Sequence, residues 1–473
     1  MLGRQPFVCR RRRASGSTDG DAVRLLYLQL GLTHWLWGLF GVNAAVRWRL
    51  CLVAWLSAGV FAGLAVADET DSSGAKTTIK TPVWVVAADE AIDQHRKQAV
   101  RVVVLDAGGQ LVGGAAVSIQ QQSHDFAIGC LMPAEGLETL ASDHPVWRVF
   151  NSVSLEREVS WQQLVADPGA WQEEQRLQVD ALLAEARQMG IGVRLGPWVK
   201  GDPAQNPDAL HGLDTPRHLE QSMNDAETLT RWLGHRVDAI DLYGDRSGRD
   251  GFVQRHGIGG LRALFEAARV TAPTAMLSLR YRDGMRGRAA AGLYKSLLEV
   301  QQGFVGLDSI SLDQQIDGLI VPVALKRDID RLSRLQTPID WVNLEVGGNS
   351  PEWAEGNLDT VLRLAFAEPS IQGLWFGGMT AEDCLNPHAA LLDESGAPTP
   401  AGLVLEALFK KEWWGSLEDQ TDEQGVIETR LFKGVHELTA VLPGGAEIRQ
   451  RVRVTGQPEG DVRWIVLQAP RAQ

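Results

Sequence analysis

Phe150-Asn151-Ser152-Val153-Ser154-Leu155-Glu156, with Trp161 shortly after it, is a short run rich in apolar residues that ends on a charged side chain and reads as a buried strand. Seven more segments of this kind follow the same plan, at residues 125–130, 192–199, 237–245, 275–281, 307–314, 338–346 and 371–379. Amphipathic helical stretches lie between them, at 171–189, 217–233, 260–270, 289–302, 322–335 and 355–367. Eight strands with both faces apolar, alternating with helices, predict an α/β chain whose core is a (β/α)8 TIM barrel over residues 124–414. An open doubly wound sheet would carry a glycine-rich phosphate-binding turn after its first strand, and none follows here.

Outward from the barrel the pattern changes. Residues 80–123 alternate strand and turn, with Asp106-Ala107-Gly108-Gly109 as a turn, and predict a small β-module. Residues 418–470 predict a second, sandwich-like β-module built from runs at 427–432, 436–441, 447–454 and 462–467. The first 67 residues read as a leader. Val46-Arg47-Trp48-Arg49, the uncharged run 50–66 and Ala65-Val66-Ala67 have the n-region, h-region and cleavage site of a signal peptide. This predicts an exported chain, secreted or periplasmic, that starts near Asp68. The upstream stretch 25–46 reads as an over-extended start, and a membrane is a partner only if the leader is retained as an anchor.

The formal charge is −13, and the first 67 residues hold eight arginines against two acids, which leaves about −19 on the rest. That balance argues against nucleic acid as a partner. Cys9 and Cys51 fall in the leader, so Cys130 and Cys384 remain, with no metal-ligand spacing, and neither a metal nor another cofactor is expected. In a closed barrel the segments carrying Cys130 and Cys384 become neighbours, and in an oxidising compartment a disulfide across the seam is expected.

Active residues in such barrels project from the carboxyl ends of the strands. There the sequence resembles glycoside hydrolase family 10, the endo-1,4-beta-xylanases. Residues 150–156 with Trp161 are similar to the family segment FNSVTPEN-x-x-KW, residues 237–245 to the segment ending WDVxNE, and residues 338–346 to PIxITELDV. The resemblance implies a Glu acid/base at the end of the fourth strand and a Glu nucleophile at the end of the seventh, about 5 Å apart for retaining hydrolysis. Asp245 takes the acid/base position after Gly244, and Asn343 takes the nucleophile position. An amide cannot form the glycosyl ester. Gln315 stands where the family has the His that supports the nucleophile, and Arg157 and Ser160 replace sugar-binding Asn and Lys.

Such losses together predict a catalytically impaired, xylanase-like pseudoenzyme that binds a polysaccharide or oligosaccharide. The alternative is a divergent glycosidase that uses Asp245 with Glu345 or Asp313. Candidate substrate contacts are Glu156, Arg157, Trp161, Trp198, Arg280, Gln315 and Trp375. Arg157, Arg194, Arg246 and Arg280 near the strand ends point toward an anionic glycan, or else toward ion pairs with Asp241, Asp245, Asp283 and Asp313.

Overall fold

The computed structural model describes residues 81–133, 136–167, 170–245, 251–282, 288–456 and 461–470. The predicted leader, its cleavage site near Ala67, Arg246 and Asp283 lie outside the described residues. No helix among the described residues is long and apolar enough to cross a membrane.

Eight parallel strands form the barrel: Ala127–Leu131, Ser152–Leu155, Gly192–Leu195, Ala239–Asp245, Met276–Tyr281, Ser309–Ile316, Ile339–Val346 and Ile371–Phe376. The eighth strand pairs with the first and the fourth with the fifth, so the sheet closes without an edge. The helices between them begin where the sequence supplies caps. Asp214, Ser350 and Thr399 accept from the third backbone N–H of their helices, each with a proline just inside the helix start. Gly190 closes the helix Glu173–Met189 in a left-handed conformation (φ 70°) that a side chain would strain.

The two predicted β-modules are one. In one sheet, strand Lys97–Leu105 lies between Val426–Phe432 and Arg463–Gln468. In the other, Ala116–His124 lies between Ser416–Gln420 and Gly434–Val441, with Glu447–Val454 at the far edge. The separate modules expected at 80–123 and 418–470 are therefore corrected to a single sandwich whose strands come from both ends of the barrel. The amino-terminal region supplies an inner strand to each sheet, joining carboxyl-terminal strands that would otherwise be separated, and both regions bury the shared core of Val102, Ile119, Leu438 and Leu467.

A second correction concerns the start of that region. Val83–Arg96 is a helix rather than strand and turn. Its β-branched run suits a strand, but Ala88, Ile92 and Arg96, spaced by four, are buried and the helix packs on Pro351–Ala367. The disulfide is a third correction. Cys130 and Cys384 are free, buried thiols. Burial pushes both thiols up, Cys384 to about 12, which suits inert apolar packing rather than reactivity.

Candidate functional site

Strand alternation sends every second residue into the barrel, and here several of those residues are ionic. Arg194, from the third strand, is 1% exposed. Its guanidinium donates to Asp340 at 2.9 Å, to Asp241 at 2.5 Å, and to the Ser278 and Ser311 hydroxyls. One layer nearer the carboxyl ends, Arg280 donates through Nε to Asp313 at 2.6 Å and through Nη1 to Glu156, with Asp241 3.7 Å away. Arg282 lies 3.8 Å from the other side of the Asp313 carboxylate.

Burial sets the protonation of these groups. It pushes Asp241 up, yet Arg194 and Arg280 together overcome it and hold the carboxyl below its ordinary value. For Asp313 burial outweighs Arg280, and Glu156 adds to the upward shift. Asp340 is likewise raised by burial in spite of Arg194. The carboxylates outnumber the two fully buried guanidiniums, so charge pairing keeps one acid low and leaves Asp313 and Asp340 pushed up.

The candidate residues are distributed unevenly around this core. Glu156 is half-buried just beyond the second strand, and Arg280 is its ion-pair partner rather than Arg157 or Arg194. Arg157 and Gln315 are exposed. Asp245 ends the fourth strand opposite Tyr281, at the position expected for an acid/base.

Asn343 sits in a bulge of the seventh strand at φ 48°, a left-handed conformation that asparagine adopts more readily than most residues. Its amide lies against Gly377, where a Cβ would collide with it, so the glycine permits the close approach. Glu345 is turned to another task, accepting from Leu385 N at 2.8 Å in the loop after the eighth strand. Burial raises its carboxyl.

The three tryptophans expected to contact sugar are buried, and that expectation is corrected by how each ring is used. Trp161 donates to Asp225 at 3.0 Å and stacks on Trp198, whose other face meets Trp171. Trp375 donates to Ser152 at 3.1 Å and lies under the Arg194 guanidinium, 4.8 Å from it. Rings packed in this way have no open face to offer a sugar. Arg280 is equally committed, with its charge spent on Glu156 and Asp313.

Sequence reasoning passed over Lys200 and Arg282. Both line a small recess with Pro197, Gly244 and Gln205 at the carboxyl ends of the third to fifth strands. Burial, then Arg282, lowers the Lys200 ammonium. Their positions just past the third and fifth strands were the available signal. Among the described residues no group of His, Cys, Asp and Glu side chains could hold a metal.

No family model matches the chain. Among curated proteins, it is 24% identical over 373 residues to the anti-sigma-I factor RsgI6 of Acetivibrio thermocellus, covering 76% of this chain and 47% of that protein. It is also 24% identical over 380 residues to endo-1,4-beta-xylanase 5 of Arabidopsis thaliana, covering 76% of this chain and 65% of that protein. The chain thus spans about half to two thirds of the length of these relatives. Among solved structures, xylanase 10B of Thermotoga petrophila in complex with xylobiose superposes with a TM-score of 0.53 at 16% identity, over 61% of this chain and 95% of that one. Native xylanase 10B of Thermotoga maritima gives 0.53 at 16% identity over 61% and 96%. Eight parallel strands closed as in these neighbours give the chain the (β/α)8 barrel fold of the xylanases it resembles.

Proposed function

We propose that this protein is an exported glycan-binding relative of the xylanases whose barrel has lost hydrolytic power. The observation that carries the reading is Asn343. The nucleophile position holds a neutral amide set against Gly377, and the carboxylate two residues on, Glu345, is tied to the backbone of a loop. Retaining hydrolysis needs two carboxyl groups about 5 Å apart across the bond to be broken. Glu156 and Asp313 do not serve together as that pair, because one guanidinium holds both.

The cations near the mouth of the barrel suit an anionic polysaccharide. Arg157 is exposed, and Lys200 and Arg282 line the recess beside Gly244. Carboxylate or sulfate groups on a sugar chain would meet these donors as charge-assisted hydrogen bonds. A glycan array with the mature protein, run at low and raised salt and repeated with Arg157→Ala, tests this. We expect binding to uronate-bearing or sulfated chains that weakens about tenfold in the variant and falls with salt. Binding to nothing, or binding indifferent to both changes, would remove the reading.

One observation favours the divergent glycosidase as a second reading. Asp313 is buried with its carboxyl raised, the state a general acid requires. Release of reducing ends from any polysaccharide by the wild type, abolished in both Asp245→Ala and Asp313→Asn, would establish that alternative.

A further inference from the structure

At the amino-terminal base of the barrel, opposite the strand ends discussed above, a cavity of about 540 Å3 lies where the sandwich meets the barrel. Its wall comes from the end of helix Val83–Arg96, the strand that follows, the segment after helix Pro351–Ala367 and the end of strand Val426–Phe432. Four cationic side chains line it, Arg96, Lys97, Arg430 and Lys433, against two acidic ones, Asp125 and Asp461. Asp125 also pairs with Arg453 at 2.9 Å, so the two acids leave the four cations in excess.

The cations are under-neutralised. Lys97 and Arg430 share one carboxylate, Asp93, each at 3.0 Å. Arg96 spends its donors on the carbonyls of Phe366, Glu368 and Ile371, with the Glu368 carboxylate the acid that acts on it. Lys433 donates to the His95 carbonyl at 2.7 Å. Burial lowers both Lys433 and Arg96, and the field of Arg96 lowers Lys433 further while Asp125 opposes it. His124, on the same wall, is held neutral by burial and adds no charge of its own. A polar cavity of ligand size with surplus positive charge is complementary to an anion.

We propose that this cavity binds a small oxyanion-bearing ligand, a phosphate, a sulfate or the carboxylate of an acidic sugar, with Lys433 and Arg430 as its charged contacts and Gln94 and Gln372 beside them on the wall. The site is separate from the glycan cleft, and its existence does not depend on what the barrel mouth binds. An anion there would tie the sandwich to the base of the barrel and stabilise the junction by mass action.

The test is calorimetric titration of the whole protein with sodium phosphate, sodium sulfate and sodium glucuronate, each against sodium chloride at matched ionic strength. Saturable binding of at least one oxyanion is expected, weakened tenfold or more in Lys433→Met and largely kept in Lys433→Arg. Arg430→Met, at a more exposed position, gives a second reading should Lys433→Met fail to fold, and the same weakening is expected there. Preference for glucuronate over phosphate would identify the ligand as a sugar acid, and the reverse a free or esterified phosphate. No heat beyond the chloride control, or affinity unchanged in both methionine variants, would overturn the proposal.

Discussion

The two ends of the first barrel strand face opposite electrostatic worlds. Inside and above, the barrel is packed with paired charge around Arg194 and Arg280. Below, where the sandwich seals the base, a buried histidine meets rings and cations instead of acids. His124 sits among Phe366, Phe409, Trp414 and Phe432, with Nδ1 at 3.1 Å from the Gln121 amide and Nε2 toward the Phe409 carbonyl. Burial drives its pKa down to about 3, and the charges of Lys410 and Arg96 push the same way. Desolvation thus has two outcomes: where opposite charges are present it is offset by pairing, and where they are absent the group is kept neutral.

The largest expected effect breaks the charged side of that contrast. Asp241→Ala leaves Arg194 with a single carboxylate in a closed interior, and a loss of about 3–5 kcal/mol is expected in chemical denaturation. Replacing the pair together, Arg194→Met with Asp241→Leu, should restore much of it. A double variant no more stable than Asp241→Ala would mean that the pair is needed for the interior to pack at all.

The neutral side is broken by acid. An unfolded chain takes up a proton on His124 near its ordinary value of 6.5, whereas the folded protein resists down to about 3. The contribution of this residue is therefore present above pH 6.5 and lost as the pH falls toward 3. His124→Phe should flatten that limb of the stability profile, by an amount on the order of a few kcal/mol. An unchanged acid limb would show that the ring is hydrated in solution.

Asp313 sharpens the comparison within the barrel, because its sign is opposite to that of Asp241. Its raised carboxyl gives a contribution that is full below the unfolded value and is lost as the pH rises through the folded one. Asp241, being lowered, contributes above its unfolded value and loses that as the pH falls. Stability followed against rising pH should fall less in Asp313→Asn than in the wild type. A fall equally steep in the variant would place the raised proton on other groups alone. The smallest effect is on catalysis: Asn343→Glu is expected to release no measurable sugar from xylan, since Gln315 and the bulge leave the new carboxylate without its support. Restored turnover would show that a single position had silenced the site.

The eight strands were legible because both of their faces are buried, and continuous apolar runs between amphipathic helices have few other solutions. Asp245 could be placed at a strand end for the same reason. The use made of the buried rings was not legible. Trp161, Trp198 and Trp375 stand beside strand ends in the sequence, but whether an indole faces a cleft or another indole depends on residues as distant as Asp225 and Ser152.

Local pattern by itself determined the barrel and its strand order, since period and residue type are properties of short segments. Tertiary structure alone decided that the two terminal β-regions share one sandwich and that Val83–Arg96 is a helix. It also decided that Arg280 rather than Arg157 answers Glu156, and that Cys130 and Cys384 stay apart. Each of these depends on which surfaces meet across hundreds of residues, and burial against a distant partner can exceed the few tenths of a kcal/mol per residue that local propensity contributes.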